Sequence, residues 1–478
     1  MNQVREHWGS RLGFLLAAIG SAVGLGLLWK FPYTVGDNGG GCFLFAYFIC
    51  IVVIGFPVLI GELLLGRISQ RAAVGAFEVL AKDNARWKIT GWLGVLSSFL
   101  IMSFYSVIAG WGMSYVLMSL SGFYHNLSSN EIAEVFEKLS CSGSITLFWH
   151  FLFTLITMGI VISGVRKGIE FWAKIMTRAL FLMLFALFLY SLSLKGFGEA
   201  SRFILYLNPS EFKFSSVLEA LGLAFFTLSL GQGIMISYGS YIKKQESIPY
   251  MASIIGLSVI VIAILAAMTI FPVVFTFNLK PQQGPGLIFK TLPYLFAQLP
   301  GALVLSTLFF TLFVFTALTS SIPFVEVVAT NIMEIAHWSR KRAVVTVAIG
   351  TFTFGIPSAL ALSHTMFPNW PAIYGLNFLD TIDALVSIWI IPIGGLLTSL
   401  FIGWSLKREI IQNEFPLGRG WQNFYRVWHF FMKWIIPLTI FLIIVQKSGL
   451  IDFDRYFHKE TNYGTHTIQY GAPSSEGP

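Results

Sequence analysis

The chain has 478 residues, 55% of them hydrophobic and only 11% charged, with a mean hydropathy of +0.73 and a formal net charge of +8. Soluble domains carry about 25% charged residues, so this chain cannot cover a water-facing surface with charge, and its recurring apolar stretches of 18 or more residues read as membrane-spanning helices. No long basic run or aromatic-interleaved basic patch points to nucleic acid, and Cys42, Cys50 and Cys141 have neither metal-ligand spacing nor a disulfide framework.

Eleven spans are expected, at 12–36, 42–66, 90–120, 145–163, 170–194, 216–241, 249–277, 301–335, 341–362, 377–404 and 430–450. Met1 to Arg11 is polar, and the apolar run behind it is too long for a cleavable leader. Inside that first run stands Gly20-Ser21-Ala22-Val23-Gly24-Leu25-Gly26. Each of its three glycines weakens a helix by roughly 1 kcal/mol relative to alanine. An opened helix in hydrocarbon exposes backbone groups that lipid cannot satisfy. Such a break must be buried in protein or filled by something polar.

Charges within spans default to functional roles. Lys30 follows the first break by about a turn, and Asp383 lies near the same end of the tenth span, so the two are expected to pair across a vestibule. Glu62, in the second span, has no neighbour of opposite charge. It either accepts hydrogen bonds from backbone N–H groups freed at a helix break or sits protonated in place. Glu326 and Glu334, in the eighth span, stand where Arg5 could reach one of them.

Phe123 to Gly143 is a polar connection expected to be partly helical, and Lys280 to Pro300, rich in proline and glycine, reads either as a short re-entrant element or as an ordinary loop. A second interruption, Phe225-Phe226-Thr227-Leu228-Ser229-Leu230-Gly231-Gln232-Gly233, falls in the sixth span. Glycine-interrupted segments in corresponding positions point to an inverted repeat of five plus five helices. The repeats are placed at 11–195 and 216–405, with an extra helix at 424–450 and a polar tail at 452–478. The eighth span adds the hydroxyl cluster Thr316-Ala317-Leu318-Thr319-Ser320-Ser321. Such hydroxyls commonly bond their own helix, but together with unwound carbonyls they could also hold Na⁺.

Counting Lys and Arg in alternate connections puts 21 on one side and nine on the other. The basic side is cytoplasmic, which gives a cytoplasmic N-terminus and an extracytoplasmic C-terminus in the cell membrane. The eight histidines are scattered, which leaves an embedded enzyme without an evident acid–base pair, metal cluster or activated nucleophile.

Several stretches resemble the neurotransmitter:sodium symporters: Arg5-Glu6-His7-Trp8, Arg11-Leu12-Gly13, Ala22-Val23-Gly24-Leu25-Gly26, Phe31-Pro32-Tyr33, Asn38-Gly39-Gly40-Gly41, Phe226-Thr227-Leu228-Ser229-Leu230-Gly231 and Leu318-Thr319-Ser320-Ser321. The resemblance covers nearly all spans in order, and the eleven-span form is similar to many bacterial members. It implies an all-α, five-plus-five bundle with discontinuous first and sixth helices, working by alternating access. It places sodium on the carbonyls of Gly20, Val23 and Thr316 and the hydroxyls of Thr319 and Ser320. The substrate pocket falls on Ser21, Ala22, Gly24, Gly26, Ile101, Tyr105, Phe226, Ser229, Gln232, Ser320 and Phe324, with Tyr105 and Phe226 as a thin lid. Lys30 and Asp383 match an outer gate, although the family generally has arginine where Lys30 stands. Arg5 and Glu334, with Trp8 and Tyr241 beside them, match an inner one.

Amine carriers of the family place an aspartate where Gly24 stands. Glycine there leaves room for a substrate carboxylate, so the resemblance implies an amino acid, with an apolar or aromatic side chain against Phe226, Phe324 and Ile101. A second sodium site of the family uses asparagines where this chain has Leu27 and Val259. Of the chloride-site region only Tyr47 is kept, with Ala263 and Leu223 nearby. One sodium and no chloride are therefore expected. A non-transporting relative that senses or binds the substrate is the alternative reading.

Overall fold

A computed structural model describes residues 6–81, 84–123, 127–207, 213–279, 284–363, 365–415 and 419–451. Among them are nine unbroken helices long and apolar enough to cross a membrane, from Gly41–Ser69 to Gln422–Lys447. The first span is two helices, Arg11–Ala22 and Gly26–Asp37, bent by 43° at the glycine break. The sixth is likewise split, into Phe214–Thr227 and Ile234–Gly239. With the bent first pair taken as one span, ten spans stand among the described residues, and the split sixth segment, with helices of 14 and 6 residues, falls where the remaining one is expected.

Local sequence explains both interruptions. Ser10 starts the first helix by accepting the Gly13 N–H at 3.0 Å, an N-cap. Val23 ends it at φ −88°, ψ 50°, outside helical space, and a wide π-type turn over Gly26–Lys30 then starts the second half. In the sixth span Ser229, Gly231 and Gly233 all have positive φ, at 54°, 71° and 71°. Two glycines take that conformation at little cost. Ser229 is a strained exception, which neighbouring contacts must hold in place.

The third span, Lys88–Leu120, and the eighth, Ala302–Ala336, pack along each other at the centre. The first half of the first span and the second half of the sixth pack against the eighth span of this pair. The fourth, fifth and eleventh spans present more of their length outward, where Leu182, Phe148 and Leu438 are exposed as a lipid-facing surface demands.

At the Lys30 end, Ser129–Cys141 is a helix opened by a reciprocal capping box between Ser128 and Glu131. The described part of Lys280–Pro300 is buried and not an ordinary surface loop. Phe289 wedges among Trp111, Phe136, Phe310 and Phe313, its carbonyl accepts the Tyr115 hydroxyl at 2.7 Å, and Thr291–Ala297 is helical. Lys290 adds an ion pair to Glu137 at 2.8 Å.

Candidate functional site

The first break is lined by groups from three other spans. A Cβ at Gly24 would lie 2.5 Å from Ser320 Oγ and 3.4 Å from the Tyr105 hydroxyl, so the backbone approaches both as only glycine allows. Next along, the Leu25 N–H donates to Tyr105 Oη at 3.2 Å. Behind Gly26 stands the Phe226 ring, 2.7 Å from where a Cβ would be. Tyr105 meets Phe324 edge-on at 5.6 Å, and Ile101 is fully buried. The surroundings of Gly24 are therefore polar, and those of Gly26 aromatic. Gly24 sits at the N-terminal, positive end of the Gly26–Asp37 half-helix.

Deeper in, neutral oxygens gather. Ser320 Oγ donates towards the carbonyls of Gly20 and Ser21 at 3.3 and 3.0 Å, and Thr319 Oγ1 donates to the Thr316 carbonyl at 3.0 Å. A Cβ at Gly20 would touch Thr319 at 3.0 Å, which fixes how closely the first and eighth spans approach. Ser21 and Ser229 hydroxyls meet at 3.1 Å, and Ser229 also reaches the Ser21 carbonyl, which ties its strained backbone to the first break. Of the residues expected to hold sodium, Gly20, Thr316, Thr319 and Ser320 are thus brought to one place, and Val23 follows at the end of the first helix. Among the described residues no His, Cys, Asp or Glu cluster could hold a metal ion. Neutral hydroxyls and carbonyls suit a hard monovalent cation.

The region of a second cation site has a different lining. Leu27 and Val259 are fully buried, and the seventh span packs against the Gly26–Lys30 turn. An apolar lining cannot repay a cation for its lost hydration. Tyr47 Oη pairs with Thr227 Oγ1 at 2.8 Å, and Thr227 is also bonded to the Ala224 carbonyl.

Glu62 takes the first of its two expected roles. Its Oε1 accepts the Gly231 N–H at 2.7 Å, which satisfies a donor that unwinding the sixth span releases.

Both mouths of the bundle are closed. At one, Lys30 Nζ lies 2.6 Å from Asp383 Oδ1 and 3.1 Å from Ser387 Oγ, and 4.8 Å over the Phe226 ring. This pair floors an open cavity of about 300 Å³ rimmed by Glu219 and Lys447. At the other, Trp8 is buried with its indole N–H on the Tyr238 carbonyl at 3.1 Å and its ring edge-on to Phe14, Tyr238 and Tyr241. Tyr241 Oη donates to Glu326 at 2.6 Å, and Arg340 pairs with the other oxygen of the same carboxylate. Glu334 accepts the Ala72 N–H at 2.9 Å, at the start of the Ala73–Leu80 helix. Arg5, expected opposite Glu334, lies outside the described residues.

Sequence reasoning missed two contributors at this mouth. Arg340 was counted only within a basic connection. Glu170, at the foot of the fifth span, accepts from the Gly9 N–H at 2.6 Å and Ser10 Oγ at 2.8 Å, and it pairs with Lys174 at 2.6 Å. Glu6 and Arg166 add Glu6 Oε2 to the Val165 N–H and Arg166 Nε to the His7 carbonyl, so residues 6–10 are stitched to the fifth span. A Cβ at Gly13 would collide with Glu170 and one at Gly9 would lie 3.1 Å from it, so the two glycines leave the carboxylate its place.

The comparisons with known proteins agree with this geometry. The model of the sodium:neurotransmitter symporter family matches residues 5–147 and 122–471. An uncharacterized sodium-dependent transporter of Bacillus subtilis is 37% identical over 94% of this chain and 98% of its own, and one of Haemophilus influenzae is 33% identical over 93% and 99%. Among solved structures, MhsT in complex with L-phenylalanine is similar at a TM-score of 0.85 and 39% identity, covering 92% of this chain and 99% of that one. With its broken first and sixth helices and its multi-pass, all-α bundle, this chain belongs to the sodium:neurotransmitter symporter family, a family of sodium-dependent transporters.

Proposed function

We propose that the protein is a sodium-coupled symporter of amino acids that works by alternating access. The observation that carries this reading is the junction at Gly24, where Ser320 Oγ, Tyr105 Oη and the Leu25 N–H gather around backbone that bears no side chain. An amine substrate would need a carboxylate there, and a Cβ has no room. A substrate carboxylate instead meets the positive end of a half-helix and the Tyr105 hydroxyl. That the similar structure MhsT holds L-phenylalanine supports the substrate class.

The sodium ion is held by the carbonyls of Gly20, Val23 and Thr316 and the hydroxyls of Thr319 and Ser320. It supplies a charge that draws oxygens of the first and eighth spans together. Ser320 belongs to both sites, because its hydroxyl reaches the Gly20 and Ser21 carbonyls and lies against Gly24. Ordering this one side chain serves cation and carboxylate alike, which is a direct basis for coupling. The apolar Leu27 and Val259 favour one sodium per cycle, and the apolar Ala263 and Leu223 favour operation without chloride.

One charge crossing about 100 mV is worth about 2.3 kcal/mol, and a tenfold gradient adds about 1.4 kcal/mol, enough to concentrate a zwitterion roughly 500-fold. The Lys30–Asp383 and Trp8–Tyr241 closures then serve as the outer and inner gates, with residues 11–195 and 216–405 as the moving repeats and the N-terminus cytoplasmic. A thermal-shift screen of the twenty amino acids, with sodium and with choline in its place, tests the reading. It expects stabilisation by a subset that needs sodium. Uptake into reconstituted vesicles under an inward sodium gradient must follow. Binding without uptake would make the protein a sensor, and no amino acid response at all would end the proposal.

A further inference from the structure

The connection between the ninth and tenth spans is unlike the others on the Lys30 side. From Ala343 to Leu379 the chain has no Lys, Arg, Asp or Glu. The other connections on that side hold Asp37, then Glu131, Glu134 and Glu137, then Lys195, Glu199 and Arg202, then Lys280 and Lys290. The apolar side chains of this uncharged stretch are nevertheless not packed away. Ile373 is 70% exposed, Tyr374 57%, Phe367 46% and Leu376 45%. A solvated loop covers itself with charge, and an apolar patch left exposed marks a surface with a partner.

Depth identifies the partner. The ninth span is helical over Arg340–Ala359, 20 residues, or about 30 Å at about 1.5 Å per residue, which matches the hydrocarbon core of a bilayer. Its basic start, with Lys341 and Arg342 exposed, stands at one surface, so Ala359 stands at the boundary of the core on the Lys30 side. The headgroup layer beyond is about 5–8 Å deep. The Trp370–Tyr374 helix, just before the chain re-enters at Phe378, belongs at that level. Tryptophan and tyrosine favour it, with the ring body in an apolar setting and the polar edge in a wet one. Four rings gather there: Trp370 lies 4.4 Å from Tyr374, 5.0 Å from Phe378 and 5.7 Å from Phe367. The patch also continues the lipid-facing side of the ninth span, where Ile349 is exposed.

We propose that residues 367–376 are an interfacial anchor, which seats its apolar side chains at the headgroup–hydrocarbon boundary of the phospholipid leaflet on the Lys30 side and steadies the helix that carries Asp383. The anchor is tied directly to that helix. The Trp370 indole N–H donates to Thr381 Oγ1 at 3.0 Å, and the Phe367 and Trp370 rings both meet Phe378. Asn377 caps the same helix, its Oδ1 accepting the Asp380 N–H at 2.9 Å. Lipid that holds the rings at one level therefore restrains Phe378–Ala384, and with it the carboxylate that faces Lys30.

Spin labels read the depth. One label goes on Ile373→Cys and, in a second protein, on Tyr374→Cys, with Cys42, Cys50 and Cys141 replaced by alanine. The reference keeps Cys141, which is exposed at the end of the Ser129–Cys141 helix on the same side. Each full chain is placed in nanodiscs of phosphatidylcholine and phosphatidylglycerol at one copy per disc. Collisions with oxygen, which concentrates in lipid, should exceed those with a water-soluble nickel chelate at 373 and 374, and the order should reverse at 141. Nickel exceeding oxygen at both 373 and 374 overturns the proposal. So does a label that nickel reaches at one copy per disc and no longer reaches at two, which would make a second copy of this chain the partner. Ile373→Asp, at a side chain with little packing to lose, should lift the anchor and raise hydrogen exchange over 378–384. Exchange equal to wild type there would refute the hold on the Asp383 helix.

Discussion

Replacing Ser320 with alanine tests whether one hydroxyl couples the two ligands. In the wild type this group donates to the Ser21 and Gly20 carbonyls at 3.0 and 3.3 Å. Losing it removes one hydrogen bond from the sodium-free protein, worth about 0.5–1.5 kcal/mol of stability. Losing an oxygen from a charged contact weighs more, about 1.5–3 kcal/mol, or roughly 10- to 150-fold in sodium affinity. The two effects separate in a thermal-shift titration of sodium chloride against choline chloride. At sodium a hundredfold above its Kd, the wild type gains about 2.7 kcal/mol, and a site weakened tenfold gains only about 1.4 kcal/mol. The titration midpoint should therefore move up by at least tenfold, while the melting temperature in choline changes modestly. Amino acid affinity should fall alongside, since the hydroxyl also lines Gly24. A variant with the wild-type sodium midpoint would refute the assignment of this oxygen. A variant that loses sodium affinity but keeps amino acid affinity would refute the coupling.

Gly24→Ala places a methyl 2.5 Å from Ser320 Oγ; overpacking of this kind costs about 1–3 kcal/mol, and amino acid binding should be lost, a result that wild-type binding would contradict. Asp383→Asn leaves Lys30 half-buried without its counter-charge, at a cost between the ~1 kcal/mol of an exposed pair and the ~3–5 kcal/mol of a buried one; uptake should slow while sodium-dependent binding persists, and unchanged uptake would remove the pair from the gate. Trp8→Ala empties the contacts to Phe14, Tyr238 and Tyr241, about 3–5 kcal/mol for a buried aromatic, so hydrogen exchange over 234–242 should rise, and protection equal to wild type would show that the indole does not seal that mouth. Uptake against sodium concentration should give a Hill coefficient near one, and a value near two would refute a single sodium site.

Much of this architecture was legible because a bilayer makes polar residues conspicuous. Lys30, Glu62 and Asp383 stood out as charges in apolar runs, and each has the kind of partner expected of it: Asp383, the Gly231 N–H and Lys30. The glycines of both interrupted spans marked the breaks for the same reason. Glu170 and Arg340 were not legible, because they lie at span ends, where charge is ordinary and carries no signal. Arg340 finds Glu326 only because the chain turns back at His337, whose φ of 54° ends the eighth span. The burial of Phe289 was hidden in a stretch whose prolines and glycines fit a loop equally well. What fixes it is the aromatic socket supplied by three distant segments.

The glycine break in the first span has two faces, and their chemistry bears on the proposed coupling to one sodium. On one face the Gly20 and Ser21 carbonyls meet Thr319 and Ser320, a polar cluster that satisfies itself through a single hydroxyl and can be reorganised by a cation. On the other, Leu27 and Val259 are fully buried apolar side chains, which on the proposed reading offer sodium no ligand. A second ion beside the carboxylate would normally offset its charge. On the proposed reading that task falls to the half-helix terminus and the Tyr105 hydroxyl, which are fixed in the fold and cost no ion per cycle. Substrate affinity should then depend on sodium only through the shared Ser320 contact, and the driving force should be that of one charge.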